Sequence, residues 1–470
     1  MDIAIQIIRA LMDVMSVWLI FLLLYQLLIS LFGFRKNTKD YQDFDPELRF
    51  LVLVPAHNEE SVVADIINNL KHMEYPQELY DFYILADNCT DRTADVARQM
   101  GVNVIEAFRQ SENEATGKPI VLQKALQMLE GYQDKYDLVM VFDADNLVDP
   151  NMFLEVNSQF LTHKGDVDII QCYLGCKNNS GIVARFYYAT YTITNRFFQL
   201  AKSYLGLNSV IGGTGFAVTT SYLHQRGGWT AMSLTEDFEL QIEATCDGKR
   251  ILWNHNVRIY DEKPTRFRAS LRQRTRWAQG HWFVAFRNTP RLFRALRDKR
   301  IRFKEFLSTF LYMYSLTPYV ILFFQLFIEL LLLSLQWAGL SAPRPPVSLN
   351  VWTVMNLPGI LLFFYSIIIL FYVGDAMDNG HRFNLRSFVP LCVSVLVNTI
   401  LAALAQVIGL FKYKKQDSWD KTEHTLNRLE DSNLLLPNDQ AAAGEDAAAE
   451  SSVPFDADSP ICAKQDEQPA

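Results

Sequence analysis

Val139-Met140-Val141-Phe142-Asp143-Ala144-Asp145-Asn146 carries an apolar run of four that ends on two acids held one residue apart. A run this short, partly β-branched and bounded by Asp and Asn, reads as a buried strand that stops at Phe142. In an open α/β sheet, ligands bind outside the carboxyl ends of the strands. Acids spaced i, i+2 just past such an end can share one divalent cation, and Mg²⁺ or Mn²⁺ commonly completes its shell with substrate phosphates. An acidic turn with solvated carboxylates fits the same eight residues. The surrounding sequence has to decide.

Upstream, three more segments follow the same plan. Phe50-Leu51-Val52-Leu53-Val54-Pro55 is an apolar strand opening into Ala56-His57-Asn58-Glu59-Glu60, with a helical pattern through Leu70. Tyr83-Ile84-Leu85-Ala86 ends in Asp87-Asn88-Cys89-Thr90-Asp91, and a helix is expected from Thr93. Val102 to Ile105 forms a third strand, followed by Thr116-Gly117-Lys118 and a helix from Pro119. Strand, polar turn and helix in repetition predict a mostly parallel sheet with helices on its faces, its polar strand ends aligned along one edge.

Downstream the pattern loosens. Asp168 to Tyr173 reads as a strand, and an aromatic-rich helix is expected from Ile182 to Tyr204. Gly212-Gly213-Thr214-Gly215 lets the backbone pass close to a ligand, but it is not a dinucleotide fingerprint. Thr235 is placed to cap a helix that opens with Glu236-Asp237. A basic, aromatic helix begins around Gln273-Arg274-Thr275-Arg276-Trp277, and residues 303–316 form an amphipathic stretch suited to a membrane surface.

The mean hydropathy of +0.02 averages over a segregated chain. Apolar stretches at about 14–34, 318–340, 352–374 and 388–411 each approach the ~20 residues that span a bilayer core. The first lacks a small-residue cleavage site and reads as a retained anchor. Arg35, Lys36 and Lys39 follow it at once, which predicts a cytoplasmic domain in an integral, multi-pass protein of the cell membrane. Six cysteines without a C-x-x-C pair give neither a zinc site nor a disulfide framework. The net charge of -8 sits almost wholly in the tail, where eight acids and one base follow from Asp439. That tail has the composition of a disordered segment, and the rest of the chain carries no nucleic-acid footprint.

PAHNEE (55–60), ADNCTD (86–91), DAD (143–145), TED (235–237) and QRTRW (273–277), in this order, resemble the family-2 inverting glycosyltransferases. More narrowly, they resemble the membrane-integrated synthases of cellulose, hyaluronan, chitin oligosaccharides and poly-N-acetylglucosamine. The resemblance implies a GT-A (Rossmann-like) α/β domain with flanking transmembrane helices, a UDP-sugar donor and Mg²⁺ or Mn²⁺. It implies roles as well. Glu59 and Asp87 match the acids that hold uracil and ribose, and Lys118 a basic residue near the nucleotide. Asp143 and Asp145 match the metal-and-diphosphate motif, and Asp237 the catalytic base. Arg276 matches the residue that meets the diphosphate. Trp277 and Gln273 belong to the acceptor side, where Gly213 and Thr214 leave room for a sugar. This chain has a single acid at Ala86-Asp87 where relatives commonly have two, and His57 stands where an aromatic is frequent.

The expected organisation is an anchor (1–34), a cytoplasmic catalytic domain (35–300), an interfacial and transmembrane region (301–411), a juxtamembrane segment (412–434) and an acidic tail (435–470). The expected acceptor is a growing β-linked polysaccharide, with or without export through the same chain, or a membrane lipid such as diacylglycerol or polyprenyl phosphate. Trp419-Asp420-Lys421-Thr422-Glu423-His424 is similar to a loop that such synthases lay over the nucleotide; an ordinary basic juxtamembrane segment fits too. Glu329 either lines a polar pathway through the membrane or reaches the interface. One conflict is built in. Three crossings after a cytoplasmic domain would put Lys412, Lys414 and Lys415 outside, against the positive-inside rule, so the first or last of the three stretches is expected not to cross.

Overall fold

The computed structural model describes residues 2–109, 116–339 and 351–416. The segment 419–424, the acidic tail and the Glu329 side chain lie outside what is described. Eight strands form one sheet: β1 (Phe50–Ala56), β2 (Tyr80–Asp87), β3 (Asn103–Ala107), β4 (Leu138–Val141), β5 (Leu147–Val148), β6 (Ile169–Cys176), β7 (Phe216–Thr219) and β8 (Ile251–Asp261). Their order is β3-β2-β1-β4-β7-β6-β8-β5.

The first half follows the expectation. β1 pairs in parallel with β2 (Phe50 with Tyr80) and β4 (Phe50 with Leu138), and β2 with β3. All seven residues of β1 are buried because helices cover both faces of the sheet. Val52 and Val54 point into a core with Ile66, Ile67 and Phe153, while Leu51 and Leu53 meet Val121, Leu122 and Trp229 on the other face. The parallel register brings the loops after β1, β2 and β4 to one edge.

The second half corrects the mostly parallel expectation. β7 runs antiparallel between β4 and β6, and β5 pairs antiparallel with β8, so the sheet is mixed. β6 and β8 are parallel, with a register shift between Cys172 and Tyr173. The aromatic helix is Gly181–Thr194, continued by a π-helical turn over Asn195–Leu200 and a short helix Ala201–Tyr204.

The helices Asp2–Ser30, Thr317–Trp337, Val351–Asn379 and Leu385–Lys412 account for the four apolar stretches. By length and composition, Ala10–Phe34 and Leu385–Lys412 can each cross a membrane, and the bent pair Phe303–Met313 and Thr317–Ile328, at 46°, can form a third span. The first helix is tied to Thr317–Trp337 by polar bonds between apolar surfaces. Trp18 Nε1 donates to Thr317 Oγ1 at 2.9 Å, and Gln325 Nε2 to Met12 O at 3.0 Å. Val351–Asn379 ends on the domain built around the sheet. There Asp378 makes a buried ion pair with Arg196, and Arg258 Nη1 donates to Asn379 Oδ1 at 2.6 Å.

Leu385–Lys412 starts six residues later and stays against that domain along its length of about 42 Å. Asn398 Nδ2 donates to Ile182 O at 3.0 Å. Gly409 packs so closely that a Cβ there would lie 2.4 Å from Ala278 Cβ. Beyond its end, Gln416 Oε1 accepts from Leu234 N at 3.0 Å. The opposite face is an exposed apolar stripe of Leu385, Val389, Val393, Leu396, Ile400 and Leu404. Its spacing of three and four is one side of a helix. Polar Ser394 and Asn398 face protein and the apolar stripe faces outward.

Candidate active site

The acid pair after β4 is held by its own turn. Asp143 N–H donates to Asn146 Oδ1 (3.0 Å) and Thr214 Oγ1 (3.1 Å), and the Thr214 hydroxyl donates to the same Asn146 oxygen. Lys118 Nζ reaches across from the third loop to Asp143 Oδ1 at 2.6 Å and Gly213 O at 2.5 Å, with Glu236 Oε1 at 3.7 Å. Lys118 sits there because Gly117, at φ 113°, turns the backbone into its helix, and Gly117 N–H is fixed on Asp87 Oδ2 at 2.8 Å.

Asp87 therefore has a different setting from the one expected. It is 2% exposed, its other oxygen accepts from Asn88 Nδ2 at 2.7 Å, and it does not line the cavity described below. Its carboxylate straps the β2 loop to the Lys118 loop. The β1 loop is joined to them through Asn58, whose Oδ1 accepts from Thr90 N at 2.7 Å. Asn58 (φ 57°) and Asn88 (φ 49°) both take the left-handed conformation that asparagine tolerates.

The helix Glu236–Cys246 begins at the cavity, and two of the three acids of its first turn, Glu236 and Asp237, line it at the helix N-terminus. Thr235 holds the cap position, but its side chain makes no capping bond. It is pressed instead against Gly280, where a Cβ would lie 2.5 Å from the Thr235 hydroxyl. Asp237 Oδ2 lies over Gly213, 3.3 Å from where a Cβ would stand. The glycine-rich run is thus needed for close approach to the carboxylate as well as for its turn at φ 85°.

Gln273, Arg276 and Trp277 occupy positions i, i+3 and i+4 of the helix Phe267–Arg297 and so share one face. Tyr187 from the aromatic helix backs that face. Its hydroxyl donates to Gln273 Oε1 at 3.0 Å, and its ring meets Trp277 edge-on at 6.2 Å between centroids.

One cavity of about 890 Å³ gathers these groups. Glu59, Lys118, Asp143, Asp145, Gly213 and Thr214 line it from the sheet edge, and Asp237, Gln273, Arg276 and Trp277 from the two helices. Four residues that sequence reasoning missed also line it: Glu236, Asp261, His281 and Tyr312. Glu236 was visible beside Asp237. Asp261 ends β8, a strand that its own sequence does not announce. His281 donates from Nε2 to Met313 O at 2.9 Å and stacks on Phe238 at 4.3 Å. Burial lowers its pKa to about 4, so it is a neutral structural imidazole.

Charge is concentrated here. Burial pushes the Glu236 and Asp237 carboxyls above their ordinary range, and Lys118 pulls both back in part. Burial opposes the Lys118 charge, but Asp143 and Glu236 outweigh it and hold the ammonium above its usual value. Among the described residues no three His, Cys, Asp or Glu side chains converge as a metal cage. The arrangement offers the Lys118 ammonium, a strand-end acid pair, a half-buried carboxylate at Asp237, and the Arg276-Trp277 face of a helix.

This is a GT-A-like glycosyltransferase fold with flanking apolar helices. Residues 46–280, half of the chain, match the family model "Glycosyltransferase like family 2", and the chain belongs to that family as an enzyme. It is 29% identical over 232 residues to a beta-monoglucosyldiacylglycerol synthase of Nostoc, covering 49% of this chain and 48% of that one. It is 23% identical over 398 residues to a probable glucomannan 4-beta-mannosyltransferase of rice, covering 82% and 63%. The chain thus spans less than two thirds of the length of either relative. The structure is similar in fold to a mannosyltransferase of Pyrobaculum calidifontis, with TM-score 0.52 and 17% identity over 84% of this chain and 99% of that one.

Proposed function

We propose that the enzyme is an integral, metal-dependent, inverting glycosyltransferase that moves a hexose from a UDP-sugar to a growing β-linked glycan. The observation that carries this reading is the meeting of Asp143, Asp145, Asp237, Arg276 and Trp277 around one cavity. The name of the glucomannan relative, whose match runs through the membrane helices, supports a polymer acceptor.

A divalent cation fits the site as a partner of the donor rather than as a caged ion. Asp143 and Asp145 would hold it through oxygen, with phosphate oxygens completing the shell, as suits Mg²⁺ or Mn²⁺. When bound, it would neutralise charge on the leaving diphosphate. Arg276 and Lys118 add fixed positive charge at the same place. Asp237 takes the proton from the acceptor hydroxyl. That oxygen bonds to the sugar's anomeric carbon on the face opposite the departing diphosphate, which inverts the centre. Trp277 offers a flat ring to the acceptor sugar, and Gly213 keeps the space beside Asp237 open.

Trp277→Ala should reduce elongation about tenfold through the acceptor KM, with UDP affinity within a factor of two. Collapse of UDP affinity with normal acceptor use would put the ring on the donor side. A donor screen reading uridine diphosphate release, with products sized and digested by glycosidases, tests the whole reading. A second reading, transfer of one sugar to a membrane lipid, is favoured by the diacylglycerol-acting relative and by Leu316 on the cavity wall. A single-sugar lipid as the sole product would establish it.

The topology belongs to the same proposal. The catalytic domain lies in the cytoplasm, and Asp2–Ser30, Thr317–Trp337 and Val351–Asn379 cross. Leu385–Lys412 lies along the inner interface, which supports a cytoplasmic place for Lys412, Lys414 and Lys415. Reporter fusions after Lys415 should give a cytoplasmic signal and fusions within 342–350 an external one. An external signal after Lys415 would overturn the interfacial placement.

A further inference from the structure

A second cavity of about 680 Å³ adjoins the first. Leu174 and Tyr191 line both. Aromatic rings run from one to the other. Trp277 meets Tyr187, and Tyr191 lies one helical turn further on. Lys263 Nζ sits 5.9 Å from the Tyr187 ring centroid and 3.5 Å from that of Tyr191. Beyond Tyr191, the rings of Tyr173, Tyr188 and Tyr260 line the second space.

Its polar groups are fixed by one another. Arg258 lies over the Tyr173 ring at 4.5 Å and donates to Asn379 Oδ1 (2.6 Å) and Asp378 O (2.8 Å). Asn379 Nδ2 donates to the Tyr188 hydroxyl at 3.1 Å, and Asp149 Oδ2 accepts from Arg258 N at 2.8 Å. Lys177 and Arg258 are matched by Asp149 and Asp378 on the same lining, so neither sign is in excess. A phosphate or a metal ion would need such an excess, and an acyl chain would need apolar walls. Several phenolic rings with planar amide, carboxylate and guanidinium groups suit a neutral polyol, whose C–H faces lie on rings and whose hydroxyls both donate and accept. The volume is that of a small-molecule site.

We propose that the second cavity is a carbohydrate subsite holding the hexose units of the acceptor chain behind the unit seated at Trp277. The chain would then run from the reacting hydroxyl past Tyr191 to the end of the membrane helix Val351–Asn379, which contributes Asp378 and Asn379. This inference rests on the polymer reading above. It names where that polymer is gripped.

The test fills the cavity from its rim. Asn179 is exposed and lines the space, as does His381, so Asn179→Trp and the double variant with His381→Trp add bulk without entering the core. Wild type and variants, as full-length enzyme in detergent, receive its productive donor with cellotetraose, mannotetraose, chitotetraose or the matching methyl monosaccharides. Asn179→Trp should raise the KM for the productive tetrasaccharide at least about fivefold, with kcat and monosaccharide transfer unchanged. Calorimetric binding of that tetrasaccharide without donor should weaken in parallel, and unchanged UDP binding confirms the fold. If the double variant binds and extends the tetrasaccharide as wild type does, the subsite is overturned while the polymer reading stands. If wild type extends no saccharide and makes only glycolipid, the polymer reading falls and the subsite with it.

Discussion

Asp237→Asn should lower turnover by about 10²–10⁴-fold while donor binding stays near that of the parent enzyme. The substitution keeps the shape of the side chain over Gly213, so the close contact there survives. It removes only the capacity to accept a proton. Glu236→Gln is the companion measurement, because the two acids are neighbours in the same helical turn. Glu236 faces Lys118 at 3.7 Å and is 8% exposed. Its loss should weaken the hold on Lys118 and so act mainly on donor KM. Single-turnover rates on the two variants separate the roles. Full chemistry in Asp237→Asn with none in Glu236→Gln would reverse the assignment of the base.

The sequence speaks most clearly where a segment's environment repeats along it. β1 and β4 were legible because both of their faces are buried, and β2 and the edge strand β3 because polar turns punctuate them. β8 was not, because Asn254, His255 and Asn256 interrupt it. Asn254 Nδ2 donates to Tyr41 Oη and Gln159 Oε1, each at 3.0 Å, and His255 meets Asp378. Such partners lie far away in sequence, so local periodicity cannot reveal them. The same holds at the site. Motif order led to ten residues that reach one cavity, but not to Asp87 turning its carboxylate onto Gly117, nor to Tyr312 arriving from the helix Phe303–Met313. Thr235 had the right position for a cap, and packing against Gly280 decided otherwise. Leu385–Lys412 has the length and apolarity of a span, and the proposed interfacial placement draws on its distant partners Ile182, Ala278 and Leu234, which local apolarity cannot reveal.

Asp143→Ala should abolish metal-dependent donor binding and reduce transfer by at least about 10²-fold, with the fold intact. The Asp143 side chain is 41% exposed, so its removal opens no core cavity. Lys118, at 11% exposure, keeps Gly213 O and Glu236 as partners, so no buried charge is left alone. Thermal unfolding without ligand should therefore match the parent. The difference appears on adding Mn²⁺ and UDP. A ligand at a hundred times its Kd stabilises the binding-competent state by about 2.7 kcal/mol, and the variant should lose most of that gain. Asp145→Ala should behave alike if both carboxylates hold the cation. Its turn survives because Asn146 remains bound to Asp143 N–H and Thr214. A parent-like melting shift with Mn²⁺ and UDP in either variant would remove that carboxylate from the metal assignment. A shift lost in both, yet kept with UDP alone, would place the two acids on the cation rather than on the nucleotide.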